Sequence, residues 1–179
     1  MLEDEWLKWK LRRGSREALA RVYEKYVDAM LTLAMGLLNQ RATAEDVVQD
    51  VFLSFARSAK DLRARGSLRS YLATCVLNRV RDSRRQRQRR TVRDAGLCVP
   101  TESPGPERAV VLAEETARLN QAVAELPEEQ REVVLLRLKA NLKFRDIAKV
   151  QQTSVNTVLG RYRYGLDRLR SLLNGEVEP

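Results

Sequence analysis

Apolar residues recur three and four positions apart along almost the whole chain, and that pattern fails in one place. Between Asp94 and Glu107 it disappears, and Pro100, Pro104, Gly105 and Pro106 fall close together with Thr and Ser between them. Helical spacing on both sides of such a break, with weak strand signals throughout, predicts an all-α chain of two small helical domains joined by a flexible linker. The boundaries read as residues 1–93, a linker over 94–107, and residues 108–179. Two domains of this size each bury only a modest core, so a large partner that completes the fold is expected.

The helices can be placed from their stops and caps. Residues 3–13 predict a first helix, which Gly14 stops; Ser15 then caps a second helix over 16–38. Its stripe is Leu19, Val22, Tyr23, Tyr26, Met30, Leu33, Ala34 and Leu37. Thr43 is expected to cap a third helix, with Asp46 at the reciprocating position of a capping box. Ala44, Val47, Val48, Val51, Phe52 and Phe55 form that helix's core face. Ser67 caps a fourth helix that buries Leu68, Tyr71, Leu72, Cys75, Val76 and Val80. In the second domain a helix runs to Leu126, and Pro127 is placed at the first position of the next. Asn141 ends that helix, and two more follow, over 144–150 and from about Ser154 to Leu173, separated by a polar break at 151–153.

Composition narrows the function. Lys and Arg exceed Asp and Glu by nine, which favours an anionic partner. Histidine is absent, removing the commonest general base and metal ligand. The cysteines, Cys75 and Cys98, have no metal-type spacing. Cys75 reads as a small buried hydrophobe and Cys98 falls in the linker; a disulfide between them stays open, while the cysteine usage fits a reducing compartment. No cofactor, no metal and no catalytic residues are expected, so the chain does not read as an enzyme. The acidic start Met1-Leu2-Glu3-Asp4-Glu5 lacks the apolar run of a signal peptide. The longest apolar stretch, residues 30–38, is broken by Thr32 and Gly36 and is too short to span a membrane. A cytoplasmic protein with no membrane contact of its own is the expectation.

Three constellations carry chemistry. In the second domain, Ile147 and Ala148 on a short helix, followed by Val155, Val158 and Tyr162 on the next, have the spacing of a helix-turn-helix. Its outward face carries Asn156, Thr157, Gly160, Arg161, Arg163 and Tyr164, suited to phosphates and guanine edges, although an ordinary helix pair with a basic face fits the same pattern. Residues 79–93 hold eight arginines (79, 81, 84, 85, 87, 89, 90 and 93) and one acid, Asp82. Such a run gains affinity for backbone phosphates by releasing counterions, and equally fits a solvated helix tail. The third helix turns Glu45, Asp46, Gln49, Asp50 and Leu53 outward, an acidic face that either keeps the protein soluble or docks a basic partner helix.

Four segments together resemble a known family. Ala44-Glu45-Asp46-Val47-Val48-Gln49-Asp50-Val51-Phe52-Leu53 resembles the polymerase-binding motif of sigma factors. Gly66-Ser67-Leu68-Arg69-Ser70-Tyr71-Leu72, with Val76-Leu77-Asn78-Arg79, resembles the segment that melts and reads the minus-10 promoter element. Leu126-Pro127-Glu128-Glu129-Gln130-Arg131-Glu132-Val133 is similar to the start of the minus-35-reading domain. Asp146-Ile147-Ala148, then Ser154-Val155-Asn156-Thr157-Val158 and Arg161, resembles its helix-turn-helix. Their order and spacing match the two-domain extracytoplasmic-function group of the sigma-70 family.

The resemblance implies a factor that binds RNA polymerase core, contacting both β′ and β, and directs initiation at promoter DNA by reading minus-35 and minus-10 elements and opening the duplex. Asp46, Gln49, Asp50 and Leu53 would meet the β′ clamp helices. Residues 60–70 would capture an unstacked base, with Lys60, Arg63, Arg65, Ser67, Arg69 and Tyr71 around it and Asn78 building the pocket. Arg79, Arg81, Arg84 and Arg85 would hold the backbone. Ser154, Asn156, Thr157, Gly160, Arg161, Arg163 and Tyr164 would face minus-35 DNA. The linker would thread toward the RNA exit path, and an anti-sigma factor is an expected partner. The chain departs from the family at Gln152 and Asn156, where Gly is frequent, and at Leu159 and Gly160, which replace a basic residue and Ser. Gln152 would be strained if its position needs a positive φ. The melting loop has Leu68 and Tyr71 where an aromatic is often found near its end. A stand-alone DNA-binding regulator is the competing reading; it has no need of Asp46, Gln49 and Asp50 on one exposed face.

Overall fold

The computed structural model describes residues 2–62, 66–93 and 108–174, with side chains for all of these except 2, 87–93 and 108–114. Arg63, Arg65, Cys98 and the expected linker therefore lie outside the described residues, as do the side chains of Arg87, Arg89, Arg90 and Arg93. Among the described residues the chain is helical, without strands: α1 (Leu2–Arg12), α2 (Arg16–Leu38), α3 (Arg41–Ser58), a 3-10 turn (Ala59–Asp61), α4 (Leu68–Arg93), α5 (Arg108–Ala124), α6 (Glu128–Leu138), α7 (Phe144–Val150) and α8 (Val155–Asn174).

α2 is the axis of the N-terminal bundle, with α1, α3 and α4 packed around it. Gly14 takes φ 77° and Ser15 accepts the Ala18 N–H at 3.2 Å, so the stop and the cap fall where the sequence puts them. Leu7, Leu11, Met30, Leu33, Phe55, Leu68, Leu72 and Leu77 are the large side chains sealed at the centre. Each contributes about 1.5–3 kcal/mol by leaving water. Tyr23, read as part of the α2 stripe, is half exposed. The apolar arc of α2 is wider than its neighbours cover.

Two expected helix starts are corrected. α3 begins at Arg41 with Gln40 as N-cap, and no side-chain cap bond forms. Asn39, left-handed at φ 51°, ends α2 by giving its N–H to Met35 at 2.8 Å, and the chain re-enters a helix at once. Thr43 therefore lies inside the first turn, where its hydroxyl donates to Gln40 Oε1 at 2.7 Å, and the capping box with Asp46 does not form. Pro127 sits one position earlier than expected: it is the N-cap of α6, and its carbonyl accepts the Gln130 and Arg131 N–H groups at 3.0 and 2.9 Å. Its extended ψ of 140° keeps it outside the helix while φ stays at −51°, within proline's range.

In the C-terminal domain α6 is buried all round from Glu132 to Leu136. Arg131 folds back and donates at 2.9 Å to the carbonyls of Val123 and Leu126, satisfying the open end of α5. α8 packs through Val158, Gly165 and Leu169, with Tyr162 partly buried beside them. Val155 is 37% exposed rather than part of this seam; three positions back along a helix it stands about 60° round from Val158.

The two halves touch. Gly36 on α2 lies against Leu135 on α6 so closely that a Cβ would stand 2.8 Å from Leu135 Cδ2. Arg69 on α4 also donates to the Ala140 carbonyl at 3.4 Å.

Candidate partner and nucleic-acid interfaces

The outer face of α3 is open. Asp46, Gln49 and Asp50 are exposed, and Leu53 is 50% exposed. Beside it a groove of about 820 Å³ runs between α2 and α3, lined by Leu19, Tyr23, Val27, Val48, Phe52 and Leu53. The Tyr23 and Phe52 rings meet edge-on at 4.9 Å on its floor. Glu45 and Gln49 edge it, and Glu45 is paired with Arg41 at 2.7 Å. An apolar trough with a carboxylate rim suits an amphipathic, basic helix.

α4 presents a different picture. Ser67 caps it by accepting the Ser70 N–H at 3.1 Å. Tyr71 is half-buried against Phe55 at 6.0 Å between ring centres. Burial pushes its phenol up, helped by the neighbouring Cys75. Cys75 is a free thiol, itself pushed up by burial despite a hydrogen bond from Tyr71, so it is a poor nucleophile at neutral pH. Asn78 lines two hollows together with Ser58, Tyr71 and Cys75: one of about 490 Å³ toward α3, another of about 600 Å³ toward α7. Lys60 is exposed on the 3-10 turn.

Among the α4 arginines whose side chains are described, Arg79, Arg81 and Arg84 are engaged. Arg79 Nε donates to Asp50 at 3.2 Å, which joins a residue expected at the polymerase to one expected at DNA. Arg81 forms a two-pronged pair with Glu132 at 2.9 and 2.6 Å. Glu132 is 2% exposed, a buried carboxylate that the fork of Arg81 neutralises. The same bonds hold the Arg81 guanidinium above its ordinary value. Arg84 pairs with Glu128 at 2.7 Å and donates to the Leu37 carbonyl. Arg85 is exposed. The sequence marks these arginines only as candidate phosphate contacts, and it gives no sign that acids of α6 occupy two of them.

In the C-terminal pair of helices, α7 and α8 are joined by a turn in which Gln152 takes φ 52°. The positive φ that would disfavour a side chain at this position is thus present. Ser154 caps α8, accepting the Thr157 N–H at 3.0 Å. Phe144 and Tyr162 hold the pair together edge-on at 5.2 Å. Asn156, Thr157, Arg163 and Tyr164 are exposed, with Arg163 over the Tyr164 ring, and Gly160 faces open space. Arg161 differs. It turns back to Gln151 Oε1 at 2.9 Å and pairs with Glu129, while Gln151 Nε2 donates to Glu132 at 3.0 Å. It braces the turn against α6.

Residues 22–90 match the family described as Sigma-70 region 2, and residues 116–168 match Sigma-70, region 4. The RNA polymerase sigma-H factor of Pseudomonas aeruginosa is 27% identical over 99% of this chain and 95% of its own length. The ECF RNA polymerase sigma factor RpoE of Cereibacter sphaeroides is 27% identical over 86% of this chain and 84% of its own. The chain belongs to the extracytoplasmic-function group of the sigma-70 family. A solved structure of the sigma factor RpoE from Bartonella quintana, in complex with the anti-sigma factor NepR, shares the fold. Its TM-score is 0.76 at 21% identity, covering 87% of this chain and 96% of that one. As a sigma factor the chain directs promoter-specific initiation of transcription. Its family relatives are not enzymes. Among the described residues no helix is long and apolar enough to cross a membrane, and no cluster of His, Cys, Asp or Glu could hold a metal ion.

Proposed function

We propose that the α2–α3 face docks on RNA polymerase core, with Asp46, Gln49, Asp50 and Leu53 at the β′ clamp helices. In this reading residues 1–93 form the unit that binds core and reads the minus-10 element, and residues 108–179 form the unit that reads minus-35. The linker between them follows the RNA exit path along β. A flipped minus-10 base enters the hollow at Tyr71 and Asn78, and Lys60, Ser67, Arg69 and the α4 arginines hold the strand. Asn156, Thr157, Arg163 and Tyr164 face minus-35 DNA, with Ser154 and Gly160 shaping the approach. The chain performs no catalysis of its own and works in the cytoplasm beside the polymerase.

The observation that carries this reading is the asymmetry of one small bundle: an acidic, apolar-grooved face on α2–α3 and a cationic helix α4. Promoter binding then requires Arg81 and Arg84 to leave Glu132 and Glu128, so the two domains part when the factor is loaded. An anti-sigma factor that covers the α2–α3 groove is the proposed inhibitor, a reading supported by the likeness to a factor solved with one. The test is in vitro transcription by core polymerase with the full chain on a genomic library, with start sites mapped. A shared pair of upstream motifs at fixed spacing is the expected result; starts identical to those of core alone would refute it.

A further inference from the structure

The residues before position 22 lie outside both family matches. Yet α1, within them, grips the connection between the 3-10 turn and α4 at three points. Asp4, Lys8 and Arg12 stand one helical turn apart, in a row along one flank of α1. Their partners run antiparallel to them. Arg12 Nε donates to the Leu62 carbonyl at 3.2 Å. Lys8 Nζ donates to the Gly66 carbonyl and pairs with Glu5 at 2.6 Å. Asp4 Oδ2 accepts the Leu68 N–H at 3.2 Å, one of the free amides that open α4.

This row is built, not incidental. Lys8 is only 3% exposed. A buried ammonium is tolerated only with partners that replace its water, and here a loop carbonyl supplies one. Asp4 is fixed in turn by the Tyr26 hydroxyl at 2.7 Å and by Lys25 at 3.0 Å. Burial pushes its carboxyl up, but those bonds, the Lys25 charge and the Leu68 amide outweigh it and hold the group below its ordinary value. The gripped backbone adjoins the hollow that faces α7: Leu62, Tyr71 and Asn78 form its N-terminal wall, which stays with the bundle when α7 moves off, and Leu68 begins the helix that carries Tyr71 and Asn78.

We propose that the Asp4–Lys8–Arg12 row positions the walls of the minus-10 pocket, which makes α1 a determinant of promoter base selectivity. The inference rests on the reading of that hollow as the minus-10 site. The three side chains touch no DNA; they act through the loop backbone and are positioning residues. A pocket that sorts bases loses selectivity when its walls shift by a fraction of an ångström.

The experiment uses full-length factor assembled with core polymerase, on a promoter selected from genomic DNA and its single-base variants across the minus-10 element. The readout is the ratio of transcription on parent and variant promoters, which the amount of folded holoenzyme does not change. Lys8→Met should lower that ratio about fivefold or more toward unity. Core affinity should stay within about twofold, because distant sites act independently. Lys8→Arg, which keeps the donor, should restore most of the ratio. Trp6 and Trp9, the two tryptophans of the chain, both lie on α1, and their unchanged emission would report that it stays docked. Should Lys8→Met unfold the helix, the exposed Arg12→Gln serves instead, with a fall of about two- to threefold. Ratios unmoved by either change, while Asn78→Ala collapses them, would overturn the role of α1 and leave the pocket reading standing. Ratios unmoved by Asn78→Ala as well would overturn both.

Discussion

α3 and α4 pack side by side in one bundle, yet their functional faces are in opposite states. On α3, Asp46, Gln49 and Leu53 are exposed beside an unfilled groove. On α4, Arg81 and Arg84 already hold carboxylates of α6. As folded, the outer face of α3 is open, whereas Arg81 and Arg84 of α4 are taken up by pairs within the chain. The link between the faces is the Asp50–Arg79 pair, half exposed on both sides, where either partner could be drawn off by a stronger one. We propose on this difference that loading runs in two stages, polymerase first and promoter second, once Arg81 and Arg84 are released.

The comparison can be broken most directly on its open side. Leu53→Asp puts a charge on the docking face of a residue already half exposed. Core affinity should fall about 30- to 100-fold, the cost of losing a central contact, with thermal unfolding unchanged. Affinity retained within about threefold in an anisotropy titration would remove α3 from the interface.

The occupied side is tested by Glu128→Gln with Glu132→Gln. Hydrogen bonds to charged groups contribute about 1.5–3 kcal/mol each, and the exposure of Glu128 and Arg81 discounts this. We expect a wider separation of the domains in solution scattering and promoter affinity raised roughly tenfold, because the arginines no longer have to be released. A compact shape with unchanged promoter affinity would mean that these pairs restrain nothing.

A smaller effect concerns α1, which anchors the bundle that carries both faces. The Tyr26 phenol, buried and bonded to Asp4, is raised from 10.0 to about 12. Its folded value lies above its ordinary one, so its stabilising share is present below pH 10 and is lost as pH climbs through about 12. Asp4 has the opposite sign: its share is present above the ordinary 3.8 and is lost as pH falls through its lowered folded value. Tryptophan emission should therefore report α1 docked across neutral pH and released at both extremes, with Tyr26→Phe removing the alkaline step. An alkaline step that persists in Tyr26→Phe would assign it elsewhere.

Smallest is the change in the far domain. Gln152→Gly relieves a left-handed residue and should raise stability by about 0.5–1 kcal/mol, seen as a modest rise in Tm. Arg163→Ala should alter minus-35 base preference, whereas Arg161→Ala, which removes a brace, should lower stability and weaken binding to every variant alike. Equal losses across minus-35 variants for Arg163→Ala would take base reading away from that residue.

The helical content, the stop at Gly14 and the caps at Ser15 and Ser67 were legible from residue order. Each depends on local backbone chemistry: a side-chain oxygen meeting nearby amides, or a φ that Gly and Asn accept. The strain at Gln152 was legible for the same reason. The open face of α3 could be read because a helix shows its polar stripe in its spacing. Where several local choices compete, the sequence misled: Thr43 had the composition of a cap, but the left-handed Asn39 had already turned the chain into a helix two residues earlier. Partnerships across long separations were invisible. Nothing in the order of residues ties Arg81 to Glu132, Arg161 to Gln151, or Lys8 to Gly66. Those contacts exist because packed helices bring charges together in a place that excludes water, and only the tertiary structure decides which charge finds which. The sequence by itself determined that this chain is two helical units, one of them with an acidic outer helix face and a strongly basic helix. The fold decided that Arg81 and Arg84 of the basic helix are held by the second domain, and that α1 bonds the backbone at Leu62, Gly66 and Leu68 beside that helix.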